Sequence, residues 1–105
     1  MRTTTVHHYN GHVAVWVNGA HRFDAHVRLS RRDLLNEFET LAGTETVLDG
    51  TSWDGRFQGL AHGDLQGLQV AGEFELRLVT GTVGVALLPN GRDLAYLHGL
   101  GDAPF

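Results

Sequence analysis

The sequence predicts a mainly β protein, a small antiparallel barrel or sandwich of about seven or eight short strands with one short helix at 30–42. Apolar and polar residues alternate in several short runs, the period of a half-buried strand. Glycine is abundant at 14 against only 2 prolines, and it recurs beside valine, leucine and threonine rather than in flexible tracts. Turn dipeptides punctuate the runs at Asn10-Gly11, Asn18-Gly19, Asp49-Gly50, Gly81-Thr82 and Asn90-Gly91. With 105 residues and no linker, repeat or low-complexity segment, the chain reads as a single β domain, 1–105.

Met1 to Tyr9 is rich in β-branched and aromatic residues and predicts a strand, ended by the Asn10-Gly11 turn. His12 to Val17 follows, with Val13, Val15 and Val17 on one side and Trp16 on the other. A two-residue loop at Asn18-Gly19 pairs Val15 with Arg22 and mixes core with charge. A three-residue loop, with Gly19 but not Asn18 left-handed, pairs Val15 with His21 and is preferred. His21 to Leu29 then places Phe23, Ala25, Val27 and Leu29 on one face.

Ser30 and Asp33 have capping-box spacing, and Leu34, Leu35, Phe38 and Leu41 form a stripe at helical period, closed by Gly43. This predicts the helix. A short strand at 44–48, the Asp49-Gly50 turn and a bent strand at 51–60 come next. The glycine-rich 62–72 connection has room for one helical turn. The stretch from Glu73 to His98 predicts a three-stranded meander. Its Gly81-Thr82 loop pairs Leu78 with Val85 and Leu76 with Leu87. Its Asn90-Gly91 loop pairs Val85 with Tyr96 and Val83 with His98, which turns Tyr96 and His98 inward. The tail 99–105 either docks as a lid or frays.

Composition excludes several classes of function. A net charge of −4 without a basic stripe argues against nucleic acid or an anionic membrane. No apolar run spans a bilayer and no signal-peptide pattern is present, so a soluble cytoplasmic protein is expected. The absence of cysteine excludes thiol chemistry, and the absence of lysine excludes a Schiff base.

The ordered series Gly11-His12-Val13, Val17-Asn18-Gly19, Val27-Arg28-Leu29, Trp53-Asp54-Gly55-Arg56, Glu75-Leu76-Arg77, Gly81 through Leu87 and the end Gly99-Leu100-Gly101-Asp102-Ala103-Pro104-Phe105 resembles the small uncharacterised domain family DUF4873. The chain departs from that family in its longer 30–42 connection and in Ala-Pro-Phe where the family has Pro-Pro-Phe. The resemblance implies a small actinobacterial β domain that stands alone or is appended to flavin monooxygenases. It implies no activity and no catalytic residues.

Seven histidines invite a metal, but no HExxH or cysteine-based spacing exists, so neither metal nor cofactor is expected. Tyr96 and His98, with Asp54 as charged partner, are the candidate acid–base groups. Trp53, Arg56, Trp16, Tyr96 and His98 are the candidate ligand-binding residues, the indoles as platforms for a ring and Arg56 as an anion partner. For each, packing or pairing within the fold is the competing reading. The expected function is binding of a small apolar or aromatic ligand or of a partner protein, as an accessory to a monooxygenase or biosynthetic enzyme. A cofactor-free cyclase or isomerase, and a homodimer joined through edge strands or tryptophans, are the alternatives.

Overall fold

The computed structural model describes residues 2–89, 91 and 93–105. Among them run β1 (Arg2–Val17), β2 (Ala20–Thr40), β3 (Gly43–Gln58), α1 (His62–Ala71), β4 (Glu73–Leu78), β5 (Val83–Leu87) and β6 (Tyr96–Leu100). All pairings are antiparallel, and the strands close into a barrel in the order β1-β2-β3-β6-β5-β4, with β4 returning to β1. The mainly β antiparallel barrel with one short helix is the architecture the sequence predicts. No helix among the described residues is long and apolar enough to cross a membrane.

The closing contacts are short. β1 meets β4 only over Val13–Trp16, and β3 meets β6 only over Asp54–Arg56. β1, β2 and β3 run on well past both seams, paired with one another from Arg2 and Asn36 to Val47 and beyond. The molecule is therefore a small barrel with a three-stranded arm, 57 × 30 × 22 Å overall.

The arm replaces the expected helix at 30–42. These residues are the second half of β2, flanked by β1 on one side and β3 on the other over Ser30–Asn36. Two ladders satisfy the backbone there, and tertiary pairing overrides a local helical stripe. The helix lies instead at His62–Ala71, ten residues where one turn was expected, and it sends Leu65 and Leu68 into the core. Gly72, with φ of 82°, ends it by donating its N–H to the Leu68 carbonyl at 3.2 Å.

Two further turn signals lie inside strands. β1 passes straight through Asn10-Gly11, where Tyr9 folds its ring over Gly11 and donates its hydroxyl to the His12 carbonyl at 2.8 Å. At 49–50 the β3 strand carries a bulge, Leu34 facing Gly50 and Leu35 facing Leu48. The Asn18-Gly19 turn exists, but as a two-residue loop: both residues have positive φ, 51° and 77°, and Val17 pairs with Ala20. The charge mismatch is relieved by a bulge at Arg22, so Val15 faces Phe23 and Trp16 faces His21.

The β4–β5 register differs by three residues from the expected one. Glu75 pairs with Val85 and Phe74 with Ala86, around a loop in which Gly81 (φ 90°) donates to the Leu78 carbonyl. An odd shift reverses the face of β5. Ala86 is buried and Gly84 points inward, while Val83 is exposed. The β5–β6 pairing is likewise Val85 to Leu100 and Leu87 to His98, so Leu97 is buried and Tyr96 and His98 face outward. Asn90 of the expected Asn90-Gly91 turn lies outside the described residues.

Trp53 explains the small residues. It is 1% exposed, and a Cβ on Gly99 would sit 2.2 Å from its ring. A Cβ on Gly84 would lie 3.0 Å from the same indole and 2.8 Å from Pro104. The tail docks as a lid: Pro104 is buried, its carbonyl accepts from Thr82 Oγ1, and the Phe105 carbonyl accepts from Arg31. The core is completed by Val13, Val15, Val17, Val27, Leu29, Phe57, Phe74, Leu76 and Leu78.

Candidate functional site

The sequence candidates separate onto different surfaces. Trp53 points into the barrel, whereas Asp54, Arg56, Tyr96 and His98 lie on the outer wall where β3 meets β6. Cross-strand pairing sets Asp54 beside His98 and Arg56 beside Tyr96. The Tyr96 hydroxyl donates to Asp54 Oδ2 at 3.1 Å, and Arg32 reaches the same carboxylate at 3.3 Å. Arg56 pairs with Asp93 at 3.1 Å. Each charge is thus taken up by a neighbour, and the cluster has the chemistry of a brace between β2, β3 and β6. The expectation that Tyr96, His98 and Trp53 line one inward cavity fails, because the register sends the first two outward and the indole fills its own space.

Trp16 lies at the β1–β4 seam. The Arg77 guanidinium stacks over its ring at 3.8 Å, and His21 meets it edge-on at 5.7 Å. Its apolar face is covered by the protein itself. Next to it is an open groove of about 390 Å³ lined by His12, Ala14, Asp24, Arg77 and Val79.

Partial burial first, then the hydrogen bond to Asp54 and its negative charge, hold the Tyr96 hydroxyl above the ordinary tyrosine range; Arg32 pulls the other way. The folded state therefore keeps this proton more tightly than the unfolded chain. The resulting stability is fully present below about pH 10 and is lost as pH rises through the raised value. Asp54→Asn is expected to lower the Tyr96 pKa without restoring it fully, since burial remains. Absorbance titration of tyrosinate in a Tyr9→Phe background reads the shift directly.

Five of the seven histidines are spread along β1 and β2. His7 approaches Asp33 at 3.5 Å, His8 bonds Ser30 at 3.1 Å, His21 bonds Asp24 at 2.9 Å and His26 bonds Asn10 at 2.7 Å. Among the described residues no three metal-ligating groups converge.

The feature that sequence reasoning missed is the arm. Its register places Val6, Leu34, Phe38 and Val47 on one face, and Val6, Phe38 and Val47 are 46–49% exposed. Leu41 at the tip is fully exposed, and so in large part is Leu48 on the opposite face. The signal was the β-branched run Thr3–Val6 together with leucines and phenylalanine in 34–41, which local periodicity assigned to a helix.

No family model, curated protein or solved structure matches this chain.

Proposed function

We propose that the chain is a non-catalytic cytoplasmic interaction module that docks a partner protein on its projecting arm. The observation carrying this reading is that Val6, Phe38 and Val47, each about half exposed, share one face of the arm with the partly buried Leu34, interleaved with Arg32, Asn36 and Glu45. Apolar side chains gathered on one exposed face mark association surfaces, whereas scattered ones do not. The barrel interior favours a partner over a small ligand. Trp53, Pro104 and the inward glycines leave no room beside the indole where a ring was expected to bind. The cyclase or isomerase alternative has less support, since His98 is exposed and Asp54 is held by Arg32 and Tyr96. The resemblance to DUF4873 domains supports an accessory role beside a flavin monooxygenase or biosynthetic enzyme.

The test is site-specific photo-crosslinking in the native cell. A benzophenone amino acid at Phe38 or Val47 is expected to give a covalent protein adduct. The same group at Val70, an exposed apolar position on α1, is expected to give none. Absence of any adduct from the arm positions sinks the reading.

A further inference from the structure

We propose that the arm pairs with a second copy of this chain, strand β1 lying antiparallel against the partner's β1 across a two-fold axis at Val6. The proposal rests on the reading of the arm as an interaction surface and assigns a second copy to its β1 edge, with Val6 shared between that edge and the apolar face.

The outer edge of β1 is open. β4 covers only Val13–Trp16, so the edge from Arg2 to His12 has no strand beside it among the described residues. Alternate residues along such an edge direct backbone N–H and C=O groups outward, a template for a further strand. Natural edges are blunted by lysine, proline, inward charges or bulges. Thr3 to Tyr9 carries none of these: the segment is Thr-Thr-Thr-Val-His-His-Tyr, in regular register with β2 throughout. The opposite edge of the arm, on β3, is different. It is bulged between Leu48 and Gly50 and bears Glu45, so it is the protected one.

The open edge is complementary to itself. With the axis at Val6, the two valines face each other, Thr5 faces the partner's His7, Thr4 faces the partner's His8 and Thr3 faces the partner's Tyr9. β-branched residues opposite aromatic rings are favoured cross-strand pairs, and no like charges meet. Moving the axis to His7 sets two imidazoles face to face, which the Val6 axis avoids. Because the same edge serves both chains, the assembly closes as a dimer with a continuous six-stranded sheet. Pairing β1 with the partner's β3 instead builds an open ribbon. Closure about Val6 also brings the apolar faces of the two arms alongside each other.

Sedimentation velocity and light scattering of the purified chain at about 10–100 µM are expected to give twice the 11.5 kDa chain mass. Val6→Lys and Val6→Glu each put like charges opposite one another at the axis and are expected to weaken self-association about tenfold or more. An equimolar mixture of the two variants is expected to restore the dimer. Val6 is already half exposed, so both variants keep the native circular dichroism, which is recorded alongside. A monomeric wild type, variants that dimerise as well as wild type, or a mass that grows without limit overturns the proposal. If the wild type is monomeric while the Phe38 crosslinker captures a different protein, self-pairing falls and the docking reading stands. With neither, both fall.

Discussion

Gly99→Ala is expected to destabilise the protein by about 3 kcal/mol or more, the upper end of what overpacking costs. The added Cβ would lie 2.2 Å from Cδ2 and Cε2 of Trp53 and 2.5 Å from its Nε1. No real contact is that short, so either β6 or the indole has to move. β6 is held between β3 and β5, and the ring is fully buried with its Cζ2 edge already close to Gly84. For a domain of this size the loss lowers the melting temperature by more than about 10 °C. Urea unfolding followed by tryptophan fluorescence measures it. A variant within about 1 kcal/mol of wild type would show that the ring relaxes freely, contrary to a close-packed barrel. Gly55→Ala is a useful comparison, since its Cβ would meet the Arg28 carbonyl at 2.2 Å, a backbone atom with still less freedom.

Trp53→Ala is expected to cost about 3–5 kcal/mol, the range for emptying a fully buried aromatic site. Trp53 is the largest of the fully buried side chains. Its indole N–H has no hydrogen-bond partner in the described structure. Burying such a donor costs about 1–3 kcal/mol, so the indole contributes through volume and shape and against its own polar group. Trp53→Phe removes the orphan donor and keeps a ring. Its loss is expected to be at least about 2 kcal/mol smaller than that of Trp53→Ala. The Gly99 and Trp53 changes also couple. With the indole gone, the Cβ at position 99 has space, and the double variant Trp53→Ala/Gly99→Ala is expected to be more stable than the sum of the single losses by about 1–3 kcal/mol. Additive losses would mean that the two residues do not touch in solution.

Where size and polarity agreed, the sequence was readable. Val13, Val15 and Val17 in β1, Ala25, Val27 and Leu29 in β2, and Phe74, Leu76 and Leu78 in β4 were assigned their faces correctly, because a period of two has one apolar answer there. β5 was misread for a physical reason. Its inward positions are Gly84 and Ala86, small because Trp53 and Pro104 occupy the space, while the larger Val83 and Val85 face out. A rule that sends the larger apolar residues inward then chooses the wrong register by an odd number, and Tyr96 and His98 follow it to the wrong side. The inward-looking acid–base pair was a consequence of that slip. The arm was illegible for a related reason. Leu34 and Leu35 sit on opposite faces of a strand paired on both sides, which no local pattern distinguishes from neighbours on a helix stripe. Asn10-Gly11 and Asp49-Gly50 carry strong turn chemistry, yet the ladders of β2 run past both.

β1 has two tasks along one length. Residues 13–16 close the barrel against β4, and the segment before them forms the open margin of the arm. The seam is only four residue pairs, yet it joins parts of the chain some sixty positions apart, so among the strand pairings it carries the largest loop-closure entropy. Opening of the barrel along this seam would separate Val13 and Val15 of β1 from Leu76 and Leu78 of β4. Whatever pairs with the free margin of β1 holds the same strand in its extended form and opposes that opening. Occupancy of the arm and tightness of the barrel are thus linked through a single strand, and slower exchange at Val13–Trp16 becomes a distant reporter of association on residues 3–9.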